Sequence, residues 1–397
     1  MKRSLMLVVL LAATAVAAPA QPPDPAATIS RYEGLYRDTG NAALLWLIAE
    51  AHAEQGDRAA AIAALERVAA ARIGFSVSAD SRLVRFGGDR DFDRVAAALA
   101  AGAPPVRRGR TVATVVAPGL IPEGIAVDPA SGRLFLGDMN NRRIWAIGRD
   151  GRARPFGASL VLRPLGMKVD PARGLLWVAT TDAFWASQPP GARLVALDLA
   201  TGALRRSVAG EARSFNDLVV AADGTVYATD SSAGAVYRLD PGGETLVRIA
   251  AEAPMNYANG IALTGDGTAL YVAQGLSLRR IDLASGAVSA VAAPPGLALL
   301  AIDGLYWHRG RLIAVQNGGG PGRILALDLS ADGRTITAFR VLEQGDPDFD
   351  LPTTGTLAGD RFTFIANSQL RRLGDDGRLT AGPPVAPIRL VEIVLPR

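Results

Sequence analysis

Two patterns of hydrophobic and polar positions divide the chain. Residues 24 to about 101 are rich in alanine and poor in glycine, and their apolar positions recur at the three- and four-residue spacing of amphipathic helices. From residue 111 onward, short β-branched runs alternate with Asp-Gly, Pro-Gly and Ser-Gly turns, which is typical of antiparallel hairpins. We therefore predict a helical module over residues 21–102, a linker over 103–110 and a β-domain over 111–397.

The helical module contains one clear hairpin. Residues 44–52 and 60–65 predict two amphipathic helices around the turn Gln55-Gly56-Asp57, and residues 92–99 predict a further helix. The hairpin resembles a tetratricopeptide-type unit, with Trp46, Ala49, Gly56 and Ala61 at positions that such units favour. A single unit cannot bury both of its faces. It must pack on neighbouring helices or on the rest of the protein.

The β-domain contains six copies of a unit of about 43 to 51 residues. The first strands of the six units follow Glu123, Gly166, Asn216, Asn259, Asp303 and Gly355. The second strands are predicted at Arg133–Asp138, Leu175–Thr180, Thr225–Asp230, Ala269–Gln274, Arg311–Gln316 and Arg361–Ala366. Six four-stranded units predict an all-β six-bladed β-propeller, because radial repetition protects the sheet edges. Either 111–117 or 388–395 can supply the outer strand that closes the ring.

Four of the six first strands are preceded by a side chain that carries oxygen. These residues are Glu123, Asn216, Asn259 and Asp303. Because the first strand of each blade lies innermost in a propeller, the four side chains should meet at one mouth of the central channel. Two carboxylates and two amides form the ligand set that a hard cation such as Ca²⁺ prefers.

A turn role is the alternative, since a single Asn-Gly or Asp-Gly before a strand is commonly turn chemistry. Blades two and six weaken that alternative, because Leu165 and Thr354 occupy the same position without a carboxylate or amide. Four residues at the ends of second strands have the same two interpretations, a second shell around the site or satisfied turns. They are Asp138, Asp230, Gln274 and Asn317.

Composition excludes several other kinds of site. The absence of cysteine excludes disulfides, thiolate nucleophiles and iron–sulfur clusters, and the two histidines exclude a multi-histidine metal centre. The arginines are scattered among acidic residues and glycines, without the clustered basic stripe that nucleic-acid binding needs. We therefore predict no nucleic-acid partner.

The first residues predict export. Met1-Lys2-Arg3, an apolar run from Leu5 to about Ala17 and the small residues Ala18-Pro19-Ala20 match a secretory signal over residues 1–20. The run is too short to remain as a transmembrane helix, so we predict a periplasmic or secreted protein without a membrane span. Removal of the predicted signal over residues 1–20 leaves 40 basic against 38 acidic residues, a formal charge of +2.

The four phrases around the oxygen-bearing residues resemble those of a known family. Pro122-Glu123-Gly124, Phe215-Asn216-Asp217, Ala258-Asn259-Gly260 and Ile302-Asp303-Gly304 are similar to the metal-binding phrases of the gluconolactonase, senescence-marker-protein and luciferin-regenerating-enzyme family. The resemblance covers roughly residues 110–397. It implies that Glu123, Asn259 and Asp303 hold a divalent metal, that Asn216 contacts metal or substrate, and that Asp303 is the catalytic base. The implied cation is Ca²⁺, or alternatively Zn²⁺, Mg²⁺ or Mn²⁺.

Two positions depart from the pattern of that family. Sugar-lactonase members have an arginine two residues before the Asn of the Asn-Asp phrase, where this chain has Ser214, and Arg213 one step earlier is the substrate-binding candidate. Paraoxonase relatives have a histidine where this chain has Leu165, which favours a carboxylate as the base.

The resemblance implies a metal-dependent hydrolase of a small lactone or ester. The alternative is a propeller without catalytic activity that serves as a binding platform for a protein or small ligand. In either case the helical module can contact a protein partner, as tetratricopeptide-type hairpins usually do.

Overall fold

The computed structural model describes residues 24–78, 81–148, 151–184, 191–250 and 255–396. The predicted secretory signal over residues 1–20 lies outside the described residues, so export stays a prediction. Within the described ranges, no helix is long and apolar enough to cross a membrane.

Four α-helices come first in the described chain. They are α1 (Pro25–Thr39), α2 (Ala43–Gln55), α3 (Arg58–Ala71) and α4 (Arg90–Gly102), with a short 3-10 turn at Arg82–Phe86. The predicted hairpin is confirmed as α2 and α3. Gly56 ends α2 in a left-handed conformation with φ +76°, and the Asp57 carboxylate caps α3 by accepting a hydrogen bond from the Ala60 N–H at 3.1 Å.

The rest of the described chain forms the predicted six-bladed propeller. The innermost strands of blades one to six are β2 (Pro122–Val127), β6 (Arg163–Asp170), β10 (Phe215–Val220), β14 (Ala258–Leu263), β18 (Ile302–His308) and β22 (Gly355–Ala358). The second strands are β3 (Leu134–Asp138), β7 (Leu175–Thr181), β11 (Val226–Asp230), β15 (Ala269–Gln274), β19 (Arg311–Gln316) and β23 (Arg361–Ile365).

The two outer positions of each blade complete the sheets. The third strands are β4 (Arg143–Ile147), β8 (Ala192–Asp198), β12 (Ala235–Leu239), β16 (Ser277–Asp282), β20 (Arg323–Leu329) and β24 (Ile388–Val394). The outermost strands are β5 (Ala153–Phe156), β9 (Leu204–Val208), β13 (Leu246–Ile249), β17 (Val288–Val291), β21 (Ile336–Gln344) and, in blade six, β1 (Arg110–Val115). Each inner strand contacts the inner strands of both neighbouring blades, which closes the ring.

Blade six uses both segments that the sequence offered for closure. Its strand order is β22, β23, β24 and β1, so the N-terminal strand takes the outer position and the C-terminal run takes the third. The two strands pair antiparallel, and an ion pair between Arg110 and Glu392 at 2.7 Å spans the pairing. The two segments are therefore partners in one blade and do not compete for one position.

The propeller core lies between blades. Six apolar clusters each join two neighbouring blades, as where Phe135 of blade one packs with Leu176 of blade two. Each blade is thus buried on both faces, which explains why its strands are rich in apolar residues throughout. Because the faces of the blades are buried in apolar contacts, polar side chains can meet only at the ends of the inner strands.

A β-bulge lies at the start of five of the six inner strands. In β10 the pairing with β11 skips one residue between Phe215 and Leu218, so that Asn216 and Asp217 together oppose Thr229. The same irregularity occurs in β2, β6, β14 and β18. A bulge re-aims side chains locally, and here it falls on the predicted ligand positions.

The glycines that follow Glu123 and Asn259 have a structural role. A Cβ atom at Gly124 would lie 1.9 Å from the carbonyl oxygen of Leu165 in the next inner strand, and one at Gly260 would lie 2.5 Å from that of Asp303. The inner strands therefore approach each other at backbone distance, which only glycine permits.

We expect Gly124→Ala to lower the free energy of unfolding by about 3 kcal/mol, because the added methyl group meets a backbone atom that cannot rotate away. Urea denaturation measures the effect. The matched control is Gly102→Ala at the end of α4, where a Cβ atom meets nothing within 4 Å. Equal stability of the two variants would contradict the close approach of the strands.

Candidate metal-binding site

The four predicted ligand residues lie together at one mouth of the channel. Each stands at the start of an inner strand, in blades one, three, four and five respectively, and each is buried with only 4–7% of its surface exposed. The residues are Glu123, Asn216, Asn259 and Asp303. Four polar side chains from distant parts of the sequence thus occupy equivalent buried positions in the ring.

Asp303 is held by two amides. The Asn259 Nδ2 donates a hydrogen bond to Asp303 Oδ1 at 3.0 Å, and the Asn317 Nδ2 donates to Asp303 Oδ2 at 2.6 Å. These bonds fix the plane of the carboxylate. The Asn259 Oδ1 is buried and accepts no hydrogen bond among the described residues.

Asn216 is oriented by a hydroxyl. Its Nδ2 donates a hydrogen bond to Ser231 Oγ at 2.9 Å, and that hydroxyl donates to the carbonyl oxygen of Ala258 at 2.7 Å. Because the amide nitrogen is occupied, the side-chain oxygen of Asn216 is the atom available for a ligand. The chain of bonds ends next to Asn259 and so connects blades three and four.

At the starts of the inner strands, three buried acceptor oxygens lack a hydrogen-bond partner among the described residues. They are Glu123 Oε2, Asp217 Oδ2 and Asn259 Oδ1, from three different blades. An unsatisfied buried acceptor costs about 1–3 kcal/mol, more when it is charged. Lone pairs that no donor satisfies suit a cation, so these atoms fit oxygen ligation of a divalent metal.

One lysine enters the channel beside this cluster. Lys168, on the inner strand of blade two, places its Nζ 3.3 Å from Asp217 Oδ1 and 5.1 Å from the centroid of the Tyr306 ring. With Glu123, Asp217 and Asp303 ionised, the group carries three negative charges and one positive charge. Its net charge of −2 is the charge that one divalent cation neutralises.

Electrostatics in the site favour protonation unless a cation is bound. Burial raises the pKa of Glu123 well above its ordinary value, the charges of Asp303 and Asp217 raise it further, and Lys168 opposes the shift. Burial also raises the pKa of Asp303 to about 7, against the hydrogen bonds from Asn259 and Asn317. Both carboxyl groups are thus destabilised as anions by burial and by the negative charge of Asp217.

The amides are essential to this arrangement. Among the described ranges of the chain, no group of three or more His, Cys, Asp or Glu side chains is placed to hold a metal ion. Asp217 faces Lys168, which leaves Glu123 and Asp303 as the two carboxylates of the predicted ligand set. A site in this position therefore depends on Asn216 and Asn259 for its remaining protein ligands.

Arg213 is separate from the cluster in its observed contacts. Its side chain is exposed, and its backbone N–H donates to Asp230 Oδ2 at 2.7 Å. Asp230 also accepts from the Ser214 N–H at 3.2 Å and so satisfies the turn. The substrate-binding role of Arg213 remains a prediction.

The four residues at the ends of second strands do not behave alike. Asp138 accepts hydrogen bonds from the Trp145 indole at 2.9 Å and the Asn141 amide at 2.7 Å, which is a turn role like that of Asp230. Gln274 donates to Ser277 Oγ at 2.7 Å. Only the bond from Asn317 to Asp303 reaches one of the four predicted ligands among the contacts of the described residues.

Tyr257 is a residue of the mouth that the sequence did not single out. It stands two positions before Asn259 in the left-handed region, with φ +54°, and its ring lies 6.4 Å from that of Phe184. Burial raises the pKa of its hydroxyl, and the charges of Asp303 and Glu123 raise it further. A neutral phenol thus lies close to both carboxylates, in a backbone conformation that non-glycine residues rarely adopt.

Comparisons with known proteins agree with this architecture. The family described as SMP-30/Gluconolactonase/LRE-like region matches residues 121–290, which span blades one to four. Glu123, Asn216 and Asn259 lie inside the matched residues and Asp303 lies beyond them. The match is shorter than the expected resemblance over residues 110–397.

Solved structures of low sequence identity share the fold. A gluconolactonase from Xanthomonas campestris, important in glucose secondary metabolic pathways, is 21% identical with a TM-score of 0.50, covering 74% of this chain and 92% of its own. A putative oxidoreductase (glucose dehydrogenase) from Thermus thermophilus is 18% identical with a TM-score of 0.50, covering 72% and 99%.

No curated protein matches the chain significantly. At these identities the structural likeness shows the propeller fold, and one fold carries several chemistries. The family match is the more specific finding. Residues 121–290, which form blades one to four of the propeller, match the family described as SMP-30/Gluconolactonase/LRE-like region.

Proposed function

We propose that the protein is a divalent-metal-dependent hydrolase of a lactone or ester, with Ca²⁺ as the first candidate cation. The proposal rests on the buried acceptor oxygens of Glu123, Asp217 and Asn259, which have no hydrogen-bond partner within the described part of the chain. They lie where the family resemblance implies a metal. Glu123, Asn216, Asn259 and Asp303 would hold the cation. The net charge of −2 at the cluster supports a divalent ion over a monovalent one.

When bound, the cation supplies Lewis-acid polarisation of the substrate's carbonyl group. The residues of the chain supply the proton transfers. Asp303 is proposed to take a proton from the attacking water as the oxygen of that water bonds to the carbonyl carbon. It then returns the proton to the leaving alkoxide as the C–O bond breaks. A bound cation would keep the Asp303 carboxylate deprotonated, which is the form that a general base needs.

The two hydrogen bonds that Asp303 accepts keep its carboxylate in one orientation during both transfers. Asn216 is proposed to contact the substrate or the cation through its side-chain oxygen, because its nitrogen is held by Ser231. Lys168 offsets one of the three negative charges and lowers the electrostatic cost of the anionic site. The hydrogen bonds and the ion pair therefore orient Asp303 and Asn216 and balance the charge of the site before any substrate binds.

The test is calorimetric titration of the wild-type protein, cleared of divalent ions by a chelator, with Ca²⁺, Mg²⁺, Mn²⁺ and Zn²⁺. A panel of sugar lactones, aliphatic lactones and aryl esters is then assayed with and without the ion that binds. Saturable binding of one ion, with hydrolysis that the chelator removes, supports the proposal. Absence of both would overturn it and favour the binding-platform alternative.

The affinity for the cation should depend on pH. A cation must displace the proton from Asp303, so we expect the affinity to fall by up to about tenfold for each unit below pH 7 and each proton released. Titration in two buffers of different ionisation enthalpy counts the released protons. Constant affinity between pH 5 and 7, without proton release, would contradict the raised pKa of Asp303.

The stability of the protein free of cation should depend on pH in the opposite direction. A carboxyl group whose pKa is raised on folding binds more protons in the folded state, so its stabilising contribution is complete below its unfolded pKa, near 4. That contribution is lost as the pH rises towards 7. The difference in melting temperature between wild type and Asp303→Asn, measured with chelator from pH 4.5 to 7.5, isolates this effect.

A further inference from the structure

The helical module and the propeller share one apolar core. Trp46 and Phe75 of the module are buried in the same cluster as Ala298 and Leu300 of the propeller, whose segment leads directly into the inner strand of blade five. The rings of Trp46 and Phe75 meet edge to face at 5.7 Å. The module is therefore packed against the mouth of the channel on the side of Asp303.

A buried arginine joins the two parts by hydrogen bonds. Arg323, the first residue of β20, is 1% exposed and donates to the carbonyl oxygens of Ile73 at 3.2 Å and Gly74 at 3.4 Å. Its Nε donates to Gln316 Oε1 at 2.6 Å, and its guanidinium carbon lies 5.1 Å from the centroid of the Phe75 ring. One side chain thus connects the segment 73–75 of the module to β19 and β20.

Gln316 extends this connection towards the candidate site. Its Nε2 donates hydrogen bonds to the carbonyl oxygens of Leu300 at 2.6 Å and Ala298 at 2.9 Å. These residues belong to the segment that ends at Asp303. The segment before Asp303 is therefore tied to Arg323 and, through it, to the module.

The glycine-rich loop over residues 318–320 lies between the module and the segment before Asp303. A Cβ atom at Gly319 would be 2.3 Å from the Phe75 ring, and one at Gly318 would be 2.4 Å from the side chain of Ala301. The Ser76 N–H donates a hydrogen bond to the carbonyl oxygen of Gly320 at 2.9 Å. The backbone of the loop therefore lies close to Phe75 on one side and to Ala301 on the other.

Asn317 begins this loop and holds Asp303. Its backbone N–H donates to the carbonyl oxygen of Ala301 at 3.2 Å, and its side-chain amide donates to Asp303 Oδ2 at 2.6 Å. The position of the Asn317 amide therefore depends on the loop, and the loop depends on Phe75 and Ser76. A continuous set of contacts leads from the helical module to the proposed base.

We propose that the segment Ile73–Ser78 of the helical module is a positioning element of the active site, which clamps the loop 318–320 and so holds Asn317 against Asp303. This inference rests on the proposed hydrolase function. In this role Phe75 and Ser76 act through Asn317 and do not touch the substrate. The module is then a fixed part of the enzyme, joined to the site that it supports.

The test compares Phe75→Leu with Phe92→Leu in the full chain. Both residues are buried aromatic residues of the module, but Phe92 lies on α4 and pairs with Phe86 at 6.0 Å, away from the loop. Hydrogen–deuterium exchange without divalent ions measures the clamp directly. We expect Phe75→Leu to speed exchange in residues 301–304 and 317–322, and Phe92→Leu to leave these residues protected. Equal exchange in both variants would overturn the proposal, even if the wild type proved to be inactive.

Kinetics and cation binding then test the positioning role. We expect Phe75→Leu to lower kcat and cation affinity by about tenfold with KM unchanged, the size of effect seen when outer-shell support of a metal site is lost. In an Asn317→Ala background the same change should add little, because the contact that it supports is already absent. Additive losses, or equal losses in Phe92→Leu, would show a general effect of instability and overturn the inference.

A wild type that binds no cation and hydrolyses no substrate would instead refute the proposed function. The exchange measurement still decides, in that case, whether the module clamps the loop. The two failures are therefore distinguishable.

Discussion

Asp303→Asn should abolish cation binding and lower kcat/KM by about 10²- to 10⁴-fold, the usual contribution of a general base. Asparagine keeps the shape of the side chain but removes the negative charge and the basic oxygen. The cation affinity should fall by more than the roughly 100-fold that loss of an outer-shell partner costs. Calorimetry and the lactone and ester assay measure both effects.

The same substitution should leave the protein folded. Without cation, we expect Asp303→Asn to be at least as stable as the wild type at pH 7.5, because it removes a buried carboxylate whose pKa is raised by burial and by Asp217. The matched control is Asp332→Asn in an exposed turn, where the carboxylate accepts the Arg334 N–H. Retained turnover in Asp303→Asn would exclude this residue as the base.

Lys168→Met should lower the free energy of unfolding by about 3 kcal/mol, which is the lower end of the range for removing one partner of a buried ion pair. The lower end applies because the Lys168 side chain is 20% exposed, whereas that of Asp217 is 1% exposed. Methionine preserves the length of the side chain but leaves the Asp217 carboxylate without a counter-ion. Urea denaturation at pH 7.5 with chelator measures the loss.

Adding Asp217→Asn to Lys168→Met should recover most of that stability, since the unpaired charge is then removed as well. Arg205→Met is the control, because the Arg205–Asp198 pair at 2.8 Å is solvent-exposed and such pairs contribute at most about 1 kcal/mol. A Lys168→Met protein within about 0.5 kcal/mol of the wild type would contradict the role of the lysine as an internal counter-ion.

The sequence predicted the propeller because its repeat constrains many residues at once. The six second strands lie at their predicted positions, and the four oxygen-bearing residues are all buried at the starts of inner strands, because ring closure places equivalent positions at one mouth. Closure itself was left open between two segments. The strand order of the structure shows that both segments belong to blade six. The residues of neither segment indicate that β1 pairs with β24.

The remaining polar residues of the channel had signals that depend on comparison within the chain. Asp217 stands where the other five blades have glycine, and Lys168 is the only lysine after residue 2. Both are exceptions to the repeat at a place where the inner strands nearly touch. A residue that departs from the repeat can therefore indicate a functional position as well as a repeated residue does.

Other contacts could not be predicted from the residues themselves. Asp138 and Asp230 occupy equivalent positions, opposite Pro122 and Phe215, and both satisfy turns. Asn317 lies one residue past the equivalent position in blade five, which is Gln316, and donates to Asp303. Phe75 and Gly319 meet across a separation of more than two hundred residues, without any periodicity that relates them. Such contacts depend on how the module docks, which no local pattern encodes.

The pairing of β1 with β24 has a consequence for how the ring can form. The ion pair that spans this pairing joins residues 282 positions apart. Compared with a ten-residue hairpin, closing a loop of that length costs about 3 kcal/mol more in chain entropy, at roughly 0.6 kcal/mol per doubling. During synthesis β1 emerges long before its partner and waits with an open edge, so blades one to five can assemble while the ring is still incomplete. Blade six is thus completed last, and truncation of the chain before residue 388 should leave β23 and β1 with unpaired edges that are prone to aggregation.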